Sequence, residues 1–307
     1  MIVSVFILVI AFVALIKGAD WLVDGSANLA KRFGVSPLVI GLTVVAFGTS
    51  MPELIVNIFA ALAGQGGVTY GNIVGSNIVN ILLILGVSAL ISPVLVQKST
   101  RNLEIPLSII AAVALLVVSL DGMFSMFDGI LLLLFFIGFL WYISYLVKNH
   151  SIEPEVDYHS MSVLKCVLLM LVGLTLLVVG GKFVVSSAVD IARGFGLSEF
   201  IIGATIVAIG TSLPELVTSI VAAIKKNAEI AVGNIVGSNI FNILFIMGVS
   251  GVVRGFAAPA GVLLDIAILI GISVVLLLCS IPLRFGRRVG ILFVLLYAAY
   301  IYSIFMR

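Results

Sequence analysis

The sequence predicts an all-α polytopic membrane protein: ten transmembrane helices as two inverted five-helix repeats, with helices 2 and 7 broken. Three observations lead there. First, 62% of the 307 residues are hydrophobic and only 10% are charged, with a mean hydropathy of +1.35. A water-soluble domain cannot cover so much apolar side chain. Second, residues 41–80, GLTVVAFGTSMPELIVNIFAALAGQGGVTYGNIVGSNIVN, recur at 203–242 as GATIVAIGTSLPELVTSIVAAIKKNAEIAVGNIVGSNIFN. At a constant offset of 162 without a gap, 22 of the 40 positions are identical. Third, hydropathy divides each half into five spans. Because five is odd, equivalent helices of the two halves cross in opposite directions.

Judged against ~20 residues per crossing, the spans fall near 2–30, 37–63, 69–91, 103–120, 124–147, 163–193, 199–224, 229–253, 260–281 and 287–306. The first apolar run lacks a basic leader, and its repeat counterpart at 164–182 lies in mid-chain. It is therefore expected to be a retained helix and not a signal peptide. Gly18–Ser36 aligns with Gly180–Ser198 at the same offset, matching Phe33-Gly34 with Phe195-Gly196 and Lys31 with Arg193. The first repeat is set at 1–147 and the second at 163–307, joined by the polar linker 148–162, KNHSIEPEVDYHSMS. No separate soluble domain is expected. Cys166 and Cys279 sit in apolar runs far apart and read as small hydrophobes.

Basic residues orient the chain. Lys31, Arg32, Lys98, Arg101, Lys148, Lys165, Lys225, Lys226, Arg284, Arg287 and Arg288 fall on one side, and Arg193, Arg254 and Arg307 on the other. The first side is expected to be cytoplasmic, with both termini outside and the linker in the cytoplasm.

The chemistry is concentrated in the repeated islands. Glu53 lies near the centre of span 2 and Glu215 near the centre of span 7. A charged side chain there costs about 2.5–3.5 kcal/mol on insertion scales, so it needs a cavity, a cation or a partner. No basic residue occurs at comparable depth in spans 2, 3, 7 or 8, which makes a mobile cation the natural partner. Pro52 and Pro214 precede the glutamates and leave the carbonyls of Gly48 and Gly210 without a helical donor. Helices 2 and 7 are expected to break there, bringing carbonyls and the hydroxyls of Thr49, Ser50, Thr211 and Ser212 beside the carboxylates.

In spans 3 and 8, Asn72, Ser76 and Asn80 are four residues apart, as are Asn234, Ser238 and Asn242, so each set forms one polar stripe. A ligand role is expected for Ser76, Asn80, Ser238 and Asn242. Interhelical hydrogen bonding accounts for Asn72 and Asn234 equally well. Gly71 with Gly75, and Gly233 with Gly237, offer small-residue faces for close helix contact. All these candidate ligands are oxygens, which favours hard cations such as Ca²⁺ and Na⁺ over Zn²⁺ or Cu⁺. The only histidines, His150 and His159, are in the linker. Two ionised glutamates would be neutralised by one Ca²⁺ or by two protons. Lys17, Asp20, Asp24, Lys182, Asp190, Asp128 and Asp265 lie toward span ends, where snorkelling or local pairing is expected.

GTSMPE with GNIVGSNIVN, and GTSLPE with GNIVGSNIFN, resemble the two α-repeats of the sodium/calcium exchangers of the cation/calcium antiporter superfamily. The likeness covers essentially the whole chain. It implies alternating access, with Ca²⁺ and Na⁺ competing for overlapping sites at mid-membrane. Glu53 and Glu215 then look like the shared carboxylates. Thr49, Ser50, Ser76, Thr211, Ser212 and Ser238 resemble flanking Na⁺ ligands. Asn80 and Asn242 match the central amide or acid positions, and the carbonyls of Ala46 and Ala208 match positions the family uses. Asparagine at 242, where potassium-dependent members carry aspartate, argues against K⁺ co-transport. The short linker replaces the large regulatory domain of eukaryotic exchangers.

Ca²⁺ and Na⁺ are thus expected as transported substrates, with no cofactor and no nucleic acid, in a protein that functions as a monomer in the cell membrane. A Ca²⁺/H⁺ antiporter using the same site is the alternative. An intramembrane enzyme is disfavoured, because the chain has no HExxH, no GxSxG and no histidine within a span.

Overall fold

A computed structural model of the chain describes residues 2–149, 161–195 and 208–306. The spans follow the apolar runs in order: α1 (Ile2–Phe33), α2 (Pro37–Thr49 and Met51–Leu62), α3 (Gly66–Ile91), α4 (Thr100–Val118), α5 (Met126–Asn149), α6 (Val163–Gly194), α7 (Ala208–Gly210 and Leu213–Ile224), α8 (Ala228–Val253), α9 (Val262–Cys279) and α10 (Arg287–Phe305). The start of the seventh span, most of the linker and both histidines lie outside the described residues. At ~1.5 Å per residue, the 32-residue α1 and α6 exceed a ~30 Å hydrocarbon core and must tilt.

Local chemistry sets the helix ends. The α1 helix closes where Gly34 takes φ +62° and the Val35 N–H bonds the Ala30 carbonyl. Ser36 then caps α2, accepting from the Val39 N–H at 3.4 Å ahead of Pro37 at the first helical position. Asp128 serves as a cap: its Oδ2 accepts from the Ser125 N–H and Oγ at 2.7 and 2.6 Å. That accounts for this charge as local pairing. The buried Glu104, which sequence reasoning passed over, accepts from the Tyr142 hydroxyl at 2.5 Å.

Inside lipid, apolar surface gains little by leaving apolar solvent, so helices associate through close backbone approach and polar contacts. The α1 and α6 helices cross antiparallel: a Cβ on Gly18 would come within 2.7 Å of the Gly173 carbonyl, and one on Gly180 within 3.1 Å of the Ala11 carbonyl. The α8 helix lies equally close to the first arm of α2, at Gly233 and Gly237. The matching contacts of Gly71 and Gly75 would involve residues 200–207, outside those described. Two apolar cores result. One joins α2–α5 with α8–α10, and the other joins α1 and α6 to faces of α2, α7 and α8.

Two short antiparallel strand pairs tie the halves together: Val94–Leu95 with Arg284–Phe285, and Met123–Phe124 with Phe256–Ala257. Each joins a loop of one repeat to a loop of the other. Phe124 stacks on Phe256 at 5.3 Å, with Tyr70 edge-on to both.

Replacing Gly237 by Leu puts a side chain 2.7 Å from the Leu42 carbonyl and 2.8 Å from Ala46 Cβ. Overpacking of this kind costs about 1–3 kcal/mol or more, and thermal unfolding in detergent should show a clear loss. Gly271→Ala, where a Cβ meets nothing within 4 Å, should stay within about 0.5 kcal/mol of wild type. Equal melting temperatures for the two variants would contradict the close α2–α8 contact.

Candidate cation site at the helix breaks

The site is built by two corresponding interruptions, one in each repeat. Helix α2 bends by 48° between Thr49 and Met51, where Ser50 leaves helical geometry at φ −84°, ψ 8°. In α7, Ser212 adopts φ −88°, ψ 8°. Each serine is followed by a residue, a proline and a glutamate, so a new helix starts with Pro at its second position and Glu53 or Glu215 in its first turn. That location suits a carboxylate, because helix N-termini present unpaired N–H groups. In α2 the break is confined to Ser50. The Ala46 carbonyl still accepts from the Ser50 N–H at 3.1 Å.

Ser-x-Pro-Glu also fits a capping box, in which the serine would cap its own helix. Neither serine does so. Ser50 Oγ instead donates to Glu215 Oε1 at 3.0 Å, and Ser212 Oγ donates to Glu53 Oε1 at 3.3 Å. Each repeat therefore holds the other's carboxylate. Both glutamates are 1% exposed, and the second oxygen of each, Oε2, is buried without a hydrogen-bond partner.

The helices flanking the breaks add amides and hydroxyls. Thr49 Oγ1 donates to Asn234 Oδ1 at 3.0 Å and Thr211 Oγ1 to Asn72 Oδ1 at 3.4 Å, again across the repeats. Asn72 and Asn234 thus make interhelical hydrogen bonds. Ser238 Oγ lies 3.5 Å from the Ala46 carbonyl, which also accepts from Thr49 Oγ1. Ser76 is buried on α3, one turn before Asn80. Ala208 is the first described residue of α7, and its side chain lies outside the description.

Sequence reading missed one pair. Asn77 and Asn239, inside the GSN triplets, clasp each other where α3 crosses α8: each Nδ2 donates to the other's backbone carbonyl, at 3.2 and 3.4 Å. Their Oδ1 atoms accept from Asn242 Nδ2 and Asn80 Nδ2, both at 3.0 Å. This fixes which way the Asn80 and Asn242 amides face. Their own Oδ1 atoms are left buried and without partners. The signal was available, since both asparagines recur at the constant offset, but they sit one position off the polar stripe.

Four acceptor-only oxygens, two carboxylate and two amide, thus come from α2, α3, α7 and α8 with no donor supplied by the described protein. Leaving buried acceptors unpaired is costly, and the donor chemistry suits a hard cation. Both asparagine-bearing turns, Val79–Leu85 and Phe241–Met247, are π-helical, a local widening that recurs at functional sites. A cavity of about 570 Å³ lies beside the breaks, lined by both break prolines, Gly210, Thr211 and Lys182.

Asn239→Ala removes the acceptor that orients Asn80. Ca²⁺ affinity, followed by Ca²⁺-dependent thermal stabilisation, should fall about tenfold or more, the equivalent of one lost buried hydrogen bond. Wild-type affinity in this variant would dismiss the clasp as a determinant of the amide orientation.

The chain is similar along its length to known proteins. The sodium/calcium exchanger MaX1 of Methanosarcina acetivorans is 32% identical over 352 aligned residues, covering 99% of each chain. The inner membrane protein YrbG of Escherichia coli is 37% identical, covering 95% of this chain and 94% of its own. Among solved structures, the sodium-calcium exchanger NCX_Mj, soaked with zero Na⁺ and Ca²⁺, superposes with a TM-score of 0.87 at 37% identity over 99% of both chains. The profile of the family described as "Sodium/calcium exchanger protein" matches residues 3–145 and 165–306. The chain belongs to the sodium/calcium exchanger protein family.

Proposed function

We propose that the protein is a secondary active antiporter that exchanges Na⁺ for Ca²⁺ by alternating access, extruding Ca²⁺ from the cell. The observation that carries this is the set of buried, unpartnered oxygens on Glu53, Glu215, Asn80 and Asn242, carried by the two broken helices and the two helices beside them. Ca²⁺ takes six to eight oxygens in a flexible shell. The hydroxyls of Thr49, Ser50, Ser76, Thr211, Ser212 and Ser238 and the carbonyls of Ala46 and Ala208 complete the supply. A serine that donates its proton to the opposite glutamate keeps its lone pairs for a cation, so Ser50 and Ser212 serve carboxylate and ion together.

Charge then couples the ions. Two carboxylates balance one Ca²⁺, whereas Na⁺ must arrive as more than one ion to do the same. The two cations therefore displace one another, and an ion-free site is poorly neutralised. Asn242 adds no further negative charge, in keeping with a site that does not need K⁺. By the basic-residue rule, the side carrying Lys31, Lys148 and Lys225 is cytoplasmic, the termini are outside and the membrane is the cell membrane. One chain holds all the proposed ligands, so the monomer is sufficient.

The test is uptake of radioactive Ca²⁺ into Na⁺-loaded proteoliposomes with pH and voltage clamped. Uptake should require the outward Na⁺ gradient, and Glu53→Gln or Glu215→Gln should reduce it by about a hundredfold or more. Uptake that ignores Na⁺ but follows a proton gradient would overturn Na⁺ as the driver. Wild-type flux in either glutamine variant would overturn the site.

A further inference from the structure

The repeats differ where each long helix, α1 or α6, meets the broken helix of the other half. On one side α1 lies along α7, with Leu22 and Val23 fully buried and Val217 and Val221 packed on the same cluster. The repeat equivalents of Val217 and Val221 are Ile55 and Phe59, which are 47% and 68% exposed. There α6 stands off from α2. The cavity of about 570 Å³ occupies the gap, lined by Ile55, Val185, Lys182 and Thr211. One seam is shut and its counterpart is open.

The shut seam is pinned by charge. At the end of α7, Lys225 Nζ lies 2.5 Å from Asp20 Oδ1, 2.6 Å from Asp24 Oδ1 and 3.2 Å from the Asp20 carbonyl. An ammonium has three donors, and α1 engages all of them. The side chains of Lys225, Asp20 and Asp24 are 26%, 31% and 35% exposed, so water screens them less than a surface pair. Spacing alone suggested snorkelling or local pairing for these aspartates. Lys17 does lie 4.0 Å from Asp20, but the tighter partner comes from another helix. At the open seam, the positions equivalent to Asp20, Asp24 and Lys225 hold Lys182, Ser186 and Ala63. No carboxylate–ammonium pair can form from those three.

We propose that Asp20, Asp24 and Lys225 form an ionic latch that holds α1 on α7 and biases the protein toward the state with the α1–α7 seam shut. This rests on the exchanger reading above: alternating access needs two routes to one site, and the latch proposal takes the two seams as those routes. Opening the α1–α7 seam separates Nζ from both carboxylates, so the latch breaks once per cycle. Closing α6 onto α2 gains no equivalent pair, so the two end states are unequal in spite of the repeat.

The test places Val217→Cys on the latched seam in a Cys166→Ala, Cys279→Ala background and measures its reaction with a hydrophilic maleimide in nanodiscs. Lys225→Gln should speed labelling about fivefold, the weight of a partly exposed ion pair, while Lys225→Arg should stay close to the parent. An unchanged rate in Lys225→Gln overturns the latch. Equal acceleration at Ile272→Cys, a core position on α9 remote from the seam, overturns it too, because it reports general loosening. Labelling does not depend on which ion drives transport. Failure of Na⁺-driven Ca²⁺ flux in the wild type would sink the exchanger reading and leave the labelling comparison intact.

Discussion

Two carboxylates buried in the membrane without a fixed positive partner are the constraint on which the rest of the structure depends. Glu53 and Glu215 are almost fully buried, and α2, α3, α7 and α8 carry no lysine or arginine at their depth. The fold neutralises them only in part. The crossed serine hydroxyls satisfy one oxygen of each carboxylate and leave the other open. Burial alone gives a protein reason to supply a donor for every oxygen, though Glu104 Oε2, away from the breaks, also has none among the described residues. A protein that binds and releases a cation has reason not to.

The inverted repeat makes this arrangement possible. A single five-helix unit could place a carboxylate at its break, but the hydroxyl that holds it comes from the other unit, as do the partners of Thr49 and Thr211. Asn77 and Asn239 complete the pattern, because each fixes the amide of the opposite repeat. These crossed contacts therefore test the register between the halves. Where the long helices meet the broken ones the symmetry is lost. The charges on α1 and α6 differ, and one seam is packed while its counterpart is hollow. A carrier needs both features: a shared site whose ligands stay together, and flanks that differ enough to define two states.

Much of this was legible in the sequence. The span order, the two breaks and the central glutamates follow from hydropathy, proline chemistry and an ungapped repeat, all of which act locally or at one fixed offset. Helix ends shifted by a few residues, since caps such as Ser125 with Asp128 decide them more finely than hydropathy can. What was not legible depended on which helices touch. The sequence places the Ser50 and Ser212 hydroxyls beside the carboxylates, but only the fold shows that each donates to the opposite repeat's glutamate, at 3.0–3.3 Å. Asn77 and Asn239 fell off the polar stripe because a straight helix projects them sideways, and only the α3–α8 crossing gives them each other. Asp20 and Asp24 looked like interfacial charges because Lys225 is some two hundred residues away in sequence.

The central claim is that the two breaks form one site at which Ca²⁺ and Na⁺ exclude each other. It is tested most directly by equilibrium binding of Ca²⁺ to the purified protein across a series of Na⁺ concentrations, with no membrane gradient present. The account predicts about one Ca²⁺ per chain at saturation and displacement that rises more steeply than the first power of Na⁺, since two carboxylates must be rebalanced. Ca²⁺ binding indifferent to Na⁺, or retained when Glu53 and Glu215 are both glutamine, would contradict it.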